Sequence, residues 1–212
     1  MKILGKLLIV SSIATTVLSA NASDIYQKIA EMKKGTDGYI IGQILTKSQQ
    51  DKSNNTMIKS NDPKVINFLD GKDLLISINA NNKKVIVINK RYNQITQENV
   101  KGIIGNMIHD FDEPTVMAHD KLIYWVFDKN GDKLAEDDLK AWKDKISGKQ
   151  AAGKSLAEVV NEKKKEINFN PYIKIKLTSD QPIMTKTEKP MLANASIIIS
   201  SDKLIKETTG MK

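Results

Sequence analysis

The side chains best able to do chemistry in this chain crowd into one short stretch. His109, Asp110, Asp112, Glu113, His119 and Asp120 fall within twelve positions, and His109 and His119 are the only two histidines. Imidazole and carboxylate together ligate zinc, iron or manganese and can leave a position open for water. The stretch is therefore the candidate for a divalent metal or an acid–base pair, and hence for a metalloprotein or metal-dependent hydrolase. Two features oppose that reading. No His-x-x-x-His spacing puts both rings on one helical turn, and Pro114 interrupts the local backbone. The competing reading is a helix that ends at His109, where the dipole favours imidazolium, followed by an acidic turn and a hairpin turn at His119-Asp120.

Two further stretches imitate ligand sites. Gly148 to Ser155 (GKQAAGKS) fits G-x-x-x-x-G-K-[ST] letter for letter. A working phosphate loop follows a buried strand, so that its amides and the next helix N-terminus converge on phosphate. Here a lysine-studded helical pattern precedes it, so the expectation is a linker with Ser155 as a helix cap and no nucleotide. Asp128 to Asp132 (DKNGD) begins like a calcium loop, but the sixth loop position is Lys133 and the twelfth is Leu139. Glycine and a bidentate glutamate belong there, so the stretch is expected to be a tight turn on Asn130-Gly131. No cofactor is expected beyond the divalent-metal alternative.

The N-terminus carries the clearest functional signal. Lys2 and Lys6 precede an apolar run from Leu7 to Leu18, and Ala20-Asn21-Ala22 gives the small-x-small pattern of signal peptidase. Residues 1–22 are thus expected to be a secretory signal, cleaved after Ala22 to leave Ser23 first. The apolar run is short for a membrane span, so no transmembrane span is expected after cleavage. With no cysteine after the junction, a bacterial lipoprotein is excluded.

Composition narrows the classes further. The chain has no cysteine, which removes disulfide scaffolds, thiol nucleophiles and Cys-based metal centres. The formal charge is +8, yet only Arg91 among the 33 basic residues is an arginine. Nucleic-acid readers lean on the bidentate fork of arginine, so no specific nucleic-acid partner is expected. The lysine-rich charge suits non-specific attraction to an anionic envelope surface.

The elements that must position these residues read as α+β, a largely antiparallel sheet covered by amphipathic helices. Strands are expected near 39–46, 74–79, 84–90, 115–118 and 121–128, with helices near 24–34, 97–109 and 135–146. Thr96 should cap the second helix, whose stripe is Val100, Ile103, Ile104, Met107 and Ile108. Residues 47–62 read as an exposed polar loop, and Pro63 as the start of a helical turn carrying Val65, Phe68 and Leu69. Trp125 and Trp142 flank the Asn130-Gly131 turn and are expected to share one core. Residues 23–147 then make the main domain. Residues 148–212, with a helix from Ser155, an alternating strand at 172–177 and an apolar one at 195–200, form a second small unit or an extension of the sheet. The tail 206–212 is expected to fray, and no internal repeat is visible. Taken together, the expectation is an exported protein of a bacterial envelope, periplasmic or secreted. It would act without catalysis, by binding an envelope component or protein partner or as an accessory to a larger assembly. A secreted factor directed at a host is the further alternative.

Overall fold

The computed structural model describes residues 20–118, 120–135, 138–140, 142, 171–183 and 192–210, with side chains from Ile25 onward. In chain order the elements are α1 (Ala20–Glu31), β1 (Gly35–Thr36), β2 (Tyr39–Ile40), α2 (Lys47–Asn55), β3 (Met57–Ile58), β4 (Val65–Asp70), β5 (Leu74–Asn79), β6 (Val85–Thr96), α3 (Gln97–Phe111), β7 (Val116–Ala118), β8 (Leu122–Phe127), β9 (Ile173–Ser179), β10 (Leu192–Ser200) and α4 (Asp202–Thr209). The fold is α+β.

β3 to β10 form one sheet in the order β3-β4-β5-β6-β10-β9-β8-β7, and every neighbouring pair is antiparallel. Two four-stranded runs, β3 to β6 and β7 to β10, thus meet through their last strands, and a helix follows each. No sequence repeat signals this repeated topology. Strands β9 and β10, from the C-terminal part of the chain, lie between β6 and β8.

Alternation along the strands decides what each face buries. One row crosses the inner face through Phe68, Ile76, Ile88, Ile199, Ile175 and Trp125, paired strand to strand. All six are 0% exposed. Each such side chain gains roughly 1.5–3 kcal/mol by leaving water, so this row is the spine of the core. Val100, Ile104, Met107 and Phe111 of α3, Tyr26 and Ile29 of α1, and Leu204 of α4 belong to the same buried cluster. Thr96 caps α3 as its sequence foretells, with its side chain accepting from the Asn99 amide.

Several stretches fold otherwise than their patterns suggest. The 39–46 stretch forms no continuous strand. Asp37 and Gly38, both at positive φ, turn β1 into β2, and Gly42 breaks the chain at φ 84°. A Cβ on Gly42 would lie 2.6 Å from the Tyr26 carbonyl oxygen, so only glycine lets the chain pass α1 there. The 47–62 stretch is no open loop, because it begins with α2, held by a capping box between Thr46 and Gln49. Val65 to Asp70 is a strand instead of a helical turn, since it pairs along its whole length with β5. The tail does not fray through 206–209, because α4 buries Leu204 and Thr208. Finally, the tryptophans do not share a core. Trp125 lies in the inner cluster, whereas Trp142 packs with Val126 and Leu134 on the other side of the sheet. Adjacent strand residues point to opposite faces, so a helix that meets Val126 cannot meet Trp125.

Candidate functional site

Polar side chains on the inner face are spent on joining elements. The Tyr26 hydroxyl lies 2.6 Å from the Thr208 hydroxyl, and the Asn79 amide donates to Tyr26 at 2.9 Å, which ties α1, α4 and β5 together. Tyr39 donates to Asp70 at 2.8 Å, and Lys52 donates to both oxygens of the same carboxylate at 2.8 and 2.9 Å. The Lys52 contact, helped by Tyr39, holds Asp70 below the usual carboxylate range, while burial and then Asp70 push the Tyr39 phenol up. A phenol held protonated against a carboxylate is a poor proton donor to a substrate. Lys34 lies 4.1 Å from the centre of the Phe127 ring, and burial lowers its pKa against the opposing pull of Asp132. These are tethers between β1, β2, the helices and the sheet.

The histidine–carboxylate stretch is spread along the end of α3. The His109 side chain is 87% exposed, and its imidazole lies 2.9 Å from the Asp110 carboxylate. Asp112 ends the helix at φ 67°, and its carboxylate pairs with Lys133 at 2.8 Å. That contact lowers its pKa. Its backbone carbonyl accepts from the Trp125 indole at 2.7 Å, a tie between the turn and the inner core. Glu113 is exposed, and the Asp120 carbonyl accepts from the Ile183 amide. His119 lies outside the described residues. Among the described residues no three His, Asp or Glu side chains gather as metal ligands would. The DKNGD stretch is a turn in which the Asp128 carboxylate accepts from the amides of Asn130 and Asp132. Gly148 to Ser155 lies outside the described residues.

The outer face of the sheet is different in kind. Its rows follow the register: Leu69, Leu75, Asn89, Ile198, Lys176, Tyr124 and Val116 in one, and Arg91, Ser196, Thr178 and Leu122 in the next. At the β8 end, Val126, Leu134 and Trp142 cluster with Tyr124, Val116 and Leu139, and the Trp142 ring meets Tyr124 edge-on at 5.1 Å. In the middle, Thr178 and Ser196 bond each other at 2.7 Å. Leu69, Leu75 and Ile198 are half-buried yet join neither hydrophobic cluster among the described residues. The side-chain oxygen of Asn89, directly across from Leu75, is buried with no hydrogen-bond partner among the described residues.

Towards the β3 edge this face holds a cavity of about 150 Å³, lined by Ile58, Leu69, Lys72, Asp73, Leu75 and Arg91. Ile58, Leu69 and Leu75 make an apolar floor from three adjacent strands. The Arg91 amide donates to the Asp73 carbonyl at 2.7 Å, which fixes the β6 backbone at the rim. The Asp73 carboxylate accepts from Asn93 at 3.1 Å. Among the described residues neither the Arg91 guanidinium nor the Lys72 ammonium forms an ion pair. Nothing in the sequence groups these six residues. Arg91 is conspicuous only as the lone arginine, and its place beside Leu75 and Asp73 follows from register alone.

No protein-family model, no curated protein and no solved structure matches this chain. No helix of the described residues is long and apolar enough to cross a membrane.

Proposed function

We propose that this is an exported protein of a bacterial envelope that works without catalysis, by binding a partner or as an accessory to a larger assembly, through the outer face of its sheet. The observation that carries the reading is the contrast in how the sheet uses its polar groups. Inner-face polar side chains are bonded to one another, whereas the outer face carries half-buried leucines and isoleucine beside cations and an amide oxygen that have no partner among the described residues. Apolar surface rimmed by polar groups is what a protein interface offers. Export is supported by the pattern of residues 1–22, and cleavage after Ala22 would spare the buried Tyr26 and Ile29 of α1.

Two measurements test the reading. N-terminal sequencing of protein from the extracytoplasmic fraction should give Ser23, and Met1 on a cytoplasmic protein would remove the export part. A photo-crosslinking residue at Ser196, on the outer face, should trap one discrete partner in cells. The same probe at the exposed Glu98 of α3 should not. Equal trapping at both positions removes the outer face as the binding surface.

A further inference from the structure

The cavity beside Arg91 has a chemistry narrow enough to name its ligand. Its floor is aliphatic, from Ile58, Leu69 and Leu75, and its rim carries Arg91 and Lys72 against one carboxylate, Asp73. Both cations are exposed and unpaired among the described residues, while Asp73 is engaged by Asn93, so the rim presents net positive charge. Drug-sized ligands occupy pockets of about 300–1,000 Å³. This one holds about 150 Å³, suited to a single group roughly the size of benzene. A guanidinium presents parallel N–H donors that match a carboxylate in a planar fork, which an ammonium cannot do.

We infer that this cavity takes a carboxylate carried next to one compact apolar side chain, the chemistry of a polypeptide that ends in an aliphatic residue. The side chain sits on Ile58, Leu69 and Leu75, and Arg91 receives the terminal carboxylate. The inference deepens the binding reading and rests on it, but does not depend on export.

The test is titration of the intact protein, followed by calorimetry and by the backbone amide signals of Leu75 and Arg91. Three probes are used: an acetylated hexapeptide ending in leucine with a free carboxylate, the same peptide as its C-terminal amide, and N-acetyl-leucine. Saturable binding of the acid peptide is expected, with the amide at least tenfold weaker. Arg91→Gln should weaken the acid at least tenfold with no change in the thermal melt, because Arg91 is exposed. Leu75→Trp, which fills the cavity, should abolish binding, and its melt checks that it folds. A hexapeptide at least tenfold tighter than N-acetyl-leucine assigns the ligand to a polypeptide end, whereas equal affinity assigns it to a small free acid. The inference is overturned if the amide binds as well as the acid, if Arg91→Gln changes nothing, or if no probe saturates. Discrete crosslinking from Ser196 alongside any of those results would show that the outer face binds a partner by other means.

Discussion

Ile198 and Ile199 are neighbours in β10 with the same side chain, yet they do different work. Ile199 is 0% exposed in the row that runs from Phe68 to Trp125. Ile198 points the other way, half-buried beside Asn89 and Lys176, and belongs to neither hydrophobic cluster of the described residues. The inner face is packed for stability. Among the described residues the outer face carries a hydrophobic cluster at its β8 end, under Trp142, and elsewhere mixes leucine, isoleucine, amide, hydroxyl and cation. A sheet that needed both faces for its own core would continue the aliphatic rows across β4, β5 and β6. Among the described residues Leu69 and Leu75 continue them on β4 and β5, but Asn89 and Arg91 interrupt them on β6, a change of composition that suits the binding role proposed for this face.

The largest test of that contrast is the isoleucine pair itself. Ile199→Ala should cost about 2–5 kcal/mol through lost burial and the cavity it leaves, whereas Ile198→Ala should cost about 1 kcal/mol or less. Urea unfolding of both variants measures it, and similar costs would mean that the outer face is core as well. The two tryptophans come next. Because their clusters lie on opposite faces, the free-energy losses of Trp125→Ala and Trp142→Ala should add to within about 0.5 kcal/mol in the double variant. A larger coupling would show that the sheet transmits packing between its faces.

Smaller effects separate the faces by their polar groups. Asp70, on the inner side, has its pKa lowered in the folded state, chiefly by Lys52. Its contribution is therefore present above the unfolded carboxylate value near pH ~4 and is lost as pH falls through the lower folded value. Wild type should lose about 1 kcal/mol more than Asp70→Asn between those limits, a figure already reduced for the solvent around the Lys52 pair. Stability measured in urea at a series of acidic pH values reads this directly. On the outer face the sign reverses. Asn89→Leu removes an unpartnered buried oxygen and should leave stability unchanged or raise it by up to about 1 kcal/mol. A clear loss on thermal melting would show that the amide has a structural partner after all.

How much of this could be read in advance depended on what each element had to satisfy. Strands β5, β6 and β8 announce themselves by β-branched and aromatic runs, and α3 by its stripe and the Thr96 cap, because local pattern and tertiary demand agree there. Between residues 36 and 70 they part. Asp37-Gly38 is a two-residue hairpin signal in plain view, but the apolar run YIIGQILT after it masks the break at Gly42, which exists only because α1 passes so close. In α2, KSQQDKSNN has no apolar stripe to find. Only Thr46 and Gln49 mark it, as a capping box. Val65, Phe68 and Leu69 happen to fall at helical spacing in a strand. The two histidines drew notice by residue type, yet type says nothing of orientation, and His109 turns out to face solvent. Arg91 shows the converse, since an exposed residue on a strand gains its surroundings from the register of the neighbouring strands, which its own type does not announce.

The pairing of β6 with β10 sets how the molecule can be assembled in time. Gln94 and Asn194, which meet across that junction, are 100 residues apart in the chain. During synthesis β3 to β6 emerge well before β10, and until it arrives β6 offers a bare row of amides and carbonyls beside an unshielded apolar face. High contact order of this kind slows folding, and such half-finished sheets are prone to pair with one another. The nascent chain therefore spends an extended interval open. That interval is a hazard if the chain waits in a crowded compartment, and an advantage if it must be threaded through a channel before it folds.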